Sequence, residues 1–504
     1  MSETQATIRP RDFPDPTTAT HVTYNPPLED LRSFSSHLET TTEFDSPSYV
    51  SDYRSRSADR TTNHVDDEFA PEDYRLVGSA LDFVTDESND LVCVDRMVGR
   101  HPETSFCCRL YLPKEYGRIT LAWAKLLEAP EPGTDPDFVT VQMPDADDCQ
   151  IRILPEEGVT AVHGSDYTGE AKKSFLRLYM YHAKQSGGLG LHAGSKRVHL
   201  DDDAGERDVG QVFLGLSGTG KSTLTSHGLW LDDPEYAEML QDDVCALLPT
   251  GTVTGSEGGG LYIKTLGLEE DEQPELHGAA TDDSAVLENV AVDDDGTVHF
   301  DENRHTANAR AVIRRDHLSS SAADIDLERV DQVFFITRNP LVPPIARLTE
   351  EQAAVAFMLG ESIETSAGDP SKAGESVRVV GTNPFIVGSE GKEGNRFRDL
   401  IADLGVECYL INTGQVGTDD PRNIGVDDTV TFLEEVARGN IEWTRDDDLA
   451  LDVPSAVPGL DADEFVVPDR VEDFESAIGS LREERRDYLA QFADLDDDIV
   501  DALY

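Results

Sequence analysis

The 504-residue sequence is poor in basic residues. Its 42 lysines and arginines face 100 aspartates and glutamates, which gives a formal net charge of −58. A surface this acidic repels the phosphates of nucleic acids and of anionic membranes, so we expect binding to neither. The acidity favours a surface solvated for a high-salt cytoplasm, as in halophilic proteins.

Lysine is the scarcer of the two basic residues. It occurs ten times, which leaves 32 arginines among the 42 basic residues. Lys172, Lys173 and Lys221 nevertheless lie in glycine-flanked runs, so we expect these positions to need an amine.

Cysteine and long apolar runs are also scarce. The six cysteines show no Cys-x-x-Cys spacing, which predicts free thiols in a reduced compartment. The amino terminus lacks the apolar core of a secretory signal, and no apolar run approaches the roughly 20 residues of a membrane span. We therefore expect a cytoplasmic protein.

Composition divides the chain into three parts. Residues 1–70 are polar, and we expect parts of them to be loosely ordered. Apolar runs predict an N-terminal α/β domain over 71–188 and a C-terminal α/β domain over 189–504. The glycine-rich 185–194 is either a connection between domains or a buried functional turn.

Periodicity predicts several elements of the C-terminal domain. The runs "QVFLGL", "DQVFFIT" and "VECYLINTG" predict buried strands, and "MLQDDVCALL" predicts two strands that meet at an acidic corner. Apolar residues at helical spacing between 471 and 492 predict a core-facing helix. The small, polar segment 360–376 is either an ordinary surface loop or a lid.

A glycine-rich run, "GLSGTGKST", carries the strongest local signal. Residues 215–222 match Gly-x-x-x-x-Gly-Lys-[Ser/Thr] in full, after an apolar strand and before a helix-like run. The glycines let backbone N–H groups turn toward phosphate oxygens, Lys221 would reach the β- and γ-phosphates, and Ser222 would ligate Mg²⁺. The predicted ATP-binding residues of this run are Gly215, Leu216, Ser217, Gly218, Thr219, Gly220, Lys221, Ser222 and Thr223.

Three further motifs accompany the loop. The pair Asp242 and Asp243 follows a predicted strand, where a nucleotide metal is expected to find its acidic partner. "YTGEAKKSF" contains Tyr167 and the two adjacent lysines, and "GLHAGSK" places His192 after a glycine run. Taken alone, the lysines fit a solvated helix face and the histidine fits a satisfied polar turn.

Together the motifs resemble the ATP-dependent phosphoenolpyruvate carboxykinases. "GEAKK", "LHAG", "GLSGTGKST", "DD", "EGGGLYIKT", "LENV", "NAR", "PPIARLTEEQ" and "NTG" follow in that family's order, from about Arg100 to Thr429. The resemblance implies a lyase of gluconeogenesis that converts oxaloacetate and ATP into phosphoenolpyruvate, CO₂ and ADP. It also implies that 71–188 is an N-terminal α/β substrate domain and that 189–504 is a C-terminal nucleotide-binding domain with a mixed sheet. The active site is then expected in the cleft between the two domains.

The resemblance also implies a role for each matching residue. Lys173, His192 and Asp243 match the ligands of a Mn²⁺ ion, and Ser222 matches the hydroxyl that holds the Mg²⁺ of ATP. Arg100 and Tyr167 match residues that hold the substrate and CO₂, with Lys172 beside them. The implied catalytic set is Lys173, Arg310, Lys221 and Asp242. Arg310 and Thr429 complete the ATP-binding set.

The chemistry of these residue types agrees with the implied roles. A lysine binds a metal ion only through its neutral amine. Decarboxylation of oxaloacetate leaves an enolate, which a divalent metal stabilises as a Lewis acid. The enolate oxygen then attacks the γ-phosphate, while Arg310 and Lys221 neutralise the charge on the phosphoryl oxygens. Arg100 can hold a carboxylate bidentately.

The sequence departs from the family pattern at five places. His101–Thr104 lacks a cation found beside the carboxylate site, Ala193–Lys196 replaces a Cys-Ser-Ala-Asn-like run, and Gln415 stands where tryptophan is usual. "EGGGLYIKT" has one residue more than the usual form, and an arginine expected near the adenine is displaced to Arg422.

Two other functions stay open on the sequence: another P-loop kinase that acts on a small molecule or a protein hydroxyl, and a nucleotide-binding regulator without catalysis. Lys173 with His192 favours the carboxykinase over a simple kinase, and Lys221 with Asp243 and Arg310 argues against a regulator. We expect small-molecule substrates as partners and a monomer or small homo-oligomer.

Overall fold

The structure is a computed structural model that describes residues 7–54, 58–202, 205–216, 218–271, 273–363 and 376–504. Contacts divide the chain into two compact units. The first comprises Met1–His182 and Ser256–Ser319, and the second comprises Ala183–Gly255 and Ser320–Tyr504. The sequence interpretation ran the second domain without a break from residue 189, whereas the structure folds 256–319 into the first unit.

Runs of two or more strands separate most successive helices in the described part of the chain. The strands are β1 (Val22–Tyr24), β2 (Thr40–Thr41), β3 (Pro47–Tyr49), β4 (Thr61–Asn63), β5 (Leu91–Val98), β6 (Phe106–Pro113), β7 (Phe138–Met143), β8 (Gln150–Leu154), β9 (Val159–His163), β10 (Leu189–Leu191), β11 (Ala193–Asp202), β12 (Gly205–Gly215), β13 (Tyr236–Gln241), β14 (Cys245–Leu247), β15 (Val253–Gly255), β16 (Gly260–Lys264), β17 (Val286–Glu288), β18 (Ala291–Val292), β19 (Val298–His299), β20 (Arg310–Arg314), β21 (Gln332–Thr337), β22 (Ile345–Leu348), β23 (Glu361–Ile363), β24 (Ser376–Arg378), β25 (Glu407–Asn412), β26 (Gln415–Val416), β27 (Arg422–Asn423), β28 (Glu442–Asp446) and β29 (Leu451–Ala456).

The helices are α1 (Leu28–Phe34), α2 (Pro71–Thr85), α3 (Gly117–Leu126), α4 (Thr168–Gln185), α5 (Lys221–Ser226), α6 (Pro274–Ala280), α7 (Glu350–Leu359), α8 (Glu390–Leu404), α9 (Val426–Arg438), α10 (Phe474–Leu489) and α11 (Asp497–Asp501). With the several sheets described below, they confirm the predicted mixed α/β class.

Two sheets organise the first unit. One has seven strands in the order β1-β5-β6-β7-β9-β8-β4, and the other has five in the order β16-β20-β17-β3-β2. The polar amino-terminal segment supplies β1 to β4, of which β1, β3 and β4 pair in parallel with longer-range partners. Strands of two or three residues carry too few side chains to show an alternating pattern, so the composition of this segment did not indicate them.

An eight-stranded mixed sheet organises the second unit. Its order is β13-β11-β12-β21-β25-β22-β29-β28, and β12, β21 and β25 run parallel at its centre. These central strands are the three predicted from apolar runs. Side chains on both faces are buried, which explains why their sequences are continuously apolar rather than alternating.

The motif "PPIARLTEEQ" has a structural role. The Thr349 hydroxyl accepts from the N–H of Gln352, and the Gln352 side chain accepts from the N–H of Thr349, so the two residues form a capping box at the start of α7. All residues of this helix from Gln352 to Leu359 are buried, as expected of a helix at the centre of a core.

The predicted carboxyl-terminal helix is α10, which buries Ile478, Leu481 and Leu489. All six cysteines are buried free thiols. None of the helices in the described part of the chain combines the length and the apolar composition needed to cross a lipid bilayer.

Candidate active site

The glycine-rich run connects the central strand β12 to α5. Gly218 and Gly220 adopt positive φ angles of 86° and 100°, a backbone region that favours glycine. A Cβ on Gly215 would lie 2.7 Å from Thr219 Oγ1, so the turn also needs the absence of a side chain there. α5 begins at Lys221, and this places the lysine and the following serine at the first turn of the helix.

Thr413, from the motif "NTG", supports the glycine-rich turn from a neighbouring strand end. Its hydroxyl donates to the carbonyl oxygen of Thr219 over 2.7 Å. The side chain of Asn412 fixes the same corner by donating to the carbonyl oxygens of Asn339, Val342 and Gln415. The motif thus stabilises the glycine-rich turn through a hydrogen bond to Thr219, a role that the sequence alone did not indicate.

The acidic corner between β13 and β14 lies beside the start of α5. The Ser222 hydroxyl donates to Asp242 Oδ2 over 3.2 Å. The Lys221 ammonium lies 3.8 Å from Asp243 Oδ1 and 3.5 Å from the carbonyl oxygen of Asp243. The structure therefore brings together the four residues that the sequence placed at the metal and phosphate end of the nucleotide.

His192 lies against the same aspartate. Its Nε2 is 3.2 Å from Asp243 Oδ1, and its Nδ1 donates to the carbonyl oxygen of Thr382 over 2.7 Å. Because the carbonyl and the carboxylate can both only accept, the neutral ring donates to one of them. The shorter contact favours the proton on Nδ1, which leaves Nε2 unprotonated beside Asp243, where a cation could bind both. Burial lowers the pKa of His192 and the nearby Lys221 charge lowers it further, so the ring is neutral near pH 7.

Thr382 is a residue that the sequence analysis missed. It is buried and has a positive φ of 51°, which is uncommon for a β-branched residue. The preceding Gly381 also has a positive φ, of 58°. This constrained backbone points the Thr382 carbonyl toward His192, from which it is separated by 190 residues in the sequence. No local sequence pattern predicts a contact between residues this far apart.

The donor set of the second unit fits a divalent cation. Two ligands at about 2.1 Å from one ion, at right angles to each other, lie about 3 Å apart. His192 Nε2 and Asp243 Oδ1 have this spacing, at 3.2 Å. A histidine ligand that donates its other N–H to a backbone carbonyl is the common arrangement in metal sites, because the carbonyl fixes the ring and its tautomer.

The two lysines of the first unit lie on the first turns of α4 and have different partners. Lys172 is buried, and its ammonium lies 3.0 Å from Glu257 and 5.6 Å from the centre of the Tyr262 ring. The Lys173 ammonium lies 3.2 Å from Glu170 Oε1 and 5.3 Å from the centre of the Tyr167 ring. Neither lysine therefore lies on a merely solvated helix face.

Tyr167 and Arg310 are connected through Asn308, from the motif "NAR". The Asn308 amide donates to the Tyr167 hydroxyl over 2.9 Å, and its oxygen accepts from Arg310 Nη2 over 3.0 Å. The Arg310 guanidinium also lies 5.4 Å from the centre of the Tyr262 ring. Its Nε is buried and has no hydrogen-bond partner among the described residues. Asn308 and the Tyr262 ring therefore orient the guanidinium, which has further N–H donors beside the one bonded to Asn308.

A buried cluster of charged residues contacts Tyr262 and the amino end of α4. Glu288, from the motif "LENV", accepts from the Tyr262 hydroxyl and from the N–H of Thr168 at the start of α4. Arg118 reaches both Glu288 and Asp166, at 3.3 and 2.7 Å. The cluster thereby fixes the amino end of α4, which carries the lysine pair, relative to the strands of the five-stranded sheet.

Arg100 is held in a bidentate pair. Its Nε and Nη2 donate to the two oxygens of Glu128 over 3.0 and 2.8 Å. Nη2 also lies 3.3 Å from the carbonyl oxygen of Gly258, and a Cβ on Gly258 would lie 3.1 Å from Arg100 Nε. The glycine run in "EGGGLYIKT" therefore makes room for this guanidinium, whose fork is already matched to a carboxylate.

For some predicted residues the structure gives no contact with the glycine-rich turn, or no description. Thr429 is buried on α9, where its hydroxyl donates to the carbonyl oxygen of Gly425, and its place in the ATP-binding set stays a prediction. Ser217 and residues 364–375, which form most of the predicted loop or lid 360–376, lie outside the described residues.

The site geometry defines a class of protein before any comparison. A buried strand that runs into a glycine-rich turn, a lysine and a serine that open the next helix, and two aspartates beside them are the features of a nucleotide-binding α/β protein. His192 and its carbonyl partner add a metal-binding feature that such a protein does not need for the nucleotide alone.

Comparison with known proteins identifies the family. A sequence model described as phosphoenolpyruvate carboxykinase matches residues 49–463. The phosphoenolpyruvate carboxykinase (ATP) of Aeropyrum pernix is 35% identical over 477 residues, which are 93% of this chain and 94% of that protein. The protein of the same name from Mesorhizobium japonicum is 30% identical over 314 residues, which are 60% of this chain and 55% of that protein. The chain therefore belongs to the family of ATP-dependent phosphoenolpyruvate carboxykinases, as the sequence motifs predicted.

Proposed function

We propose that the chain is an ATP-dependent phosphoenolpyruvate carboxykinase that converts oxaloacetate and ATP into phosphoenolpyruvate, CO₂ and ADP. Family membership supports this reaction and the class of carboxy-lyase that it implies. The substrates are small molecules. The six free, buried cysteines agree with the reduced cytoplasm as the place of action.

The second unit binds the nucleotide in this proposal. Backbone N–H groups of the turn at Gly218 and Gly220 surround the phosphates, and Lys221 contacts the β- and γ-phosphates. Ser222 and Asp242, which are 3.2 Å apart, hold the Mg²⁺ of ATP. On ATP binding, the Lys221 ammonium exchanges the Asp243 carboxylate for a phosphate group. Its positive charge therefore has a negative partner both before and after binding.

The first unit binds the carboxylate substrate. Arg100 offers a bidentate fork for a carboxylate, and Tyr167 with Lys172 lines the place of the leaving CO₂. Loss of CO₂ leaves an enolate, whose oxygen attacks the γ-phosphate and releases ADP. Arg310 stabilises the phosphoryl oxygens in this step through N–H groups of its guanidinium that Asn308 does not occupy.

We further propose that Lys173, His192 and Asp243 are the protein ligands of a divalent ion, Mn²⁺ in the first instance. When bound, the ion supplies Lewis-acid stabilisation of the negative charge that develops on the substrate. The chain's own contribution is the neutral His192 ring, which Thr382 orients, and the Asp243 carboxylate. The predicted location of this site between the two units stays a prediction.

The observation that carries the proposal is the partly buried His192 beside Asp243 and Lys221. A kinase that phosphorylates a hydroxyl needs the loop and the aspartates but has no use for a neutral imidazole held by a backbone carbonyl next to the aspartate. A non-catalytic regulator needs neither the imidazole nor an oriented arginine such as Arg310.

A coupled assay tests the reaction. The purified chain is supplied with oxaloacetate, ATP, Mg²⁺ and Mn²⁺ over a range of salt concentrations, and phosphoenolpyruvate and ADP are measured in parallel. We expect ATP-dependent formation of the two products in equal amounts. Absence of phosphoenolpyruvate under every salt and metal condition, with ATP binding intact, would exclude the carboxykinase and favour one of the other nucleotide-dependent functions.

A further inference from the structure

The side chain of Lys196 is fully buried in the second unit, although lysine is among the residues that are least often buried. It projects from β11, and its ammonium group donates to the carbonyl oxygens of Leu224 and His227, the latter at 2.5 Å. The nitrogen also lies 5.6 Å from the centre of the Phe213 ring. Two carbonyl oxygens and an aromatic face therefore take the place of water around this charge.

Both carbonyl oxygens belong to the end of α5. The last carbonyl groups of a helix have no partner within the helix, and a positive charge is favourable beside them. α5 comprises only Lys221–Ser226, which is too short to be stable without support from outside. Lys196 supplies this support at the carboxyl end of the helix, one turn away from the residues at its start.

The neighbouring Gly194 supports the same helix by its lack of a side chain. A Cβ at this position would lie 2.2 Å from Thr225 Oγ1, so only glycine lets α5 pack this closely on β11. The Thr225 hydroxyl in turn donates to the carbonyl oxygen of Lys221 over 2.8 Å. The run Ala193–Lys196, which departs from the family pattern, thus contains both a packing surface and a cap for α5.

We propose that Lys196 is a positioning residue for ATP: by binding the carboxyl-terminal carbonyl groups of α5, it holds Lys221 and Ser222 in place for the phosphates. The inference rests on the proposed function of the glycine-rich loop. Burial lowers the pKa of Lys196 to about 7, so its surroundings oppose the charge, and the two carbonyl oxygens are the groups that favour it.

Two substitutions test the proposal. Lys196→Met keeps the length and apolar stem of the side chain but removes the charge and all donors, and Lys196→Gln keeps N–H donors without the charge. We expect the Kd of MgATP, measured by calorimetry, and the KM for ATP to rise on the order of tenfold for the methionine variant and less for the glutamine variant. The KM for oxaloacetate should change less than about twofold, because the substrate contacts are untouched.

Lys184→Met is the matched control. Lys184 is a partly buried lysine of the same unit, and its ammonium binds Glu393 at 2.6 Å and the carbonyl oxygen of Val387, both of which lie outside α5. Its loss should lower the melting temperature and leave the ATP constants unchanged. An unchanged Kd for MgATP in Lys196→Met, an equal rise in the two KM values, or failure of both Lys196 variants to fold would each overturn the positioning role.

The binding measurement separates this inference from the proposed reaction. If the unsubstituted protein binds MgATP but forms no phosphoenolpyruvate, the reaction is refuted while the effect of Lys196 on ATP affinity is still measured.

Discussion

We expect the loss of the Glu361 carboxylate to lower the free energy of unfolding of the second unit by an amount that can be measured. Its carboxylate is almost fully buried and accepts from both Nε and Nη2 of Arg485, at 3.2 and 2.9 Å. It also accepts from Arg378 Nε at 2.9 Å and from the Asn339 amide at 2.8 Å. Arg485 in turn donates to the carbonyl oxygen of Tyr504, so one carboxylate connects the core to the carboxyl end of the chain.

The magnitude follows from the effect of these partners on the carboxyl group. Burial alone would raise the pKa of Glu361, but the two arginines and Asn339 lower it from 4.5 to about 2. At about 1.4 kcal/mol for each pH unit, this difference corresponds to about 3 kcal/mol of stability at pH 7. Removal of one partner from a buried ion pair costs a similar amount, about 3 to 5 kcal/mol, because the other partner loses its counter-charge.

The sign of the pH dependence is set by the lowered pKa. The stabilisation is complete above pH 4.5, where the carboxyl group is ionised in both the folded and unfolded chain. It is lost as the pH falls toward 2, because protonation then favours the unfolded state, and about half should be lost by pH 3.

Urea unfolding of the original protein and of Glu361→Gln measures this contribution. At pH 7 the free energy of unfolding should be lower in the variant by about 3 kcal/mol, and the difference should shrink between pH 5 and pH 3. The other carboxylates titrate in both proteins and so cancel in the difference. Asp399→Asn, which removes the 60% exposed partner of Arg398, is the control and should cost below about 1 kcal/mol.

A Glu361→Gln variant whose stability differs from the original by less than about 1 kcal/mol at pH 7 would refute the reasoning, since the buried pair would then contribute no more than an exposed one. A difference that stays constant from pH 7 to pH 3 would show that packing, and not the ionised carboxylate, accounts for the loss.

Three further substitutions test the proposed site. Lys173→Gln should abolish phosphoenolpyruvate formation and leave the Kd of MgATP nearly unchanged; an equal loss of both would assign the lysine to the nucleotide. Glu128→Gln should lower the KM for oxaloacetate, because a substrate carboxylate no longer displaces a charged partner from Arg100; a raised KM would show that Glu128 positions the guanidinium instead. Thr413→Val removes the hydrogen bond to the Thr219 carbonyl and should raise the KM for ATP about fivefold, the equivalent of about 1 kcal/mol; an unchanged value would mean that the turn needs no such support.

The parts of the fold that the sequence predicted are those determined by local chemistry. The strand before the glycine-rich turn and the helix after it follow from an apolar run and a motif within about 20 residues. The parallel strands β21 and β25 follow from runs that are buried on both faces. The inclusion of 256–319 in the first unit was not predictable, because it depends on pairings such as that of β17 with β3, which no local pattern encodes.

In the candidate site, too, some residues were predicted from sequence motifs and others were not. Lys221 was proposed from the glycine-rich motif itself, whereas His192 and Asp243 were proposed as metal ligands from the order of motifs that the chain shares with the family. Thr382 and Asn308 were missed. Thr382 acts through a backbone carbonyl that every residue type possesses, and Asn308 is a common surface residue whose role appears only when it lies between Tyr167 and Arg310.

The departure at Ala193–Lys196 acquires an explanation when its contacts are considered. Gly194 leaves room for Thr225 of α5, and Lys196 donates to the carbonyl oxygens of Leu224 and His227 at the end of the same helix. This departure therefore lies in how the helix after the glycine-rich turn is held, whereas the one at His101–Thr104 lies where the resemblance implies a contact with the substrate carboxylate.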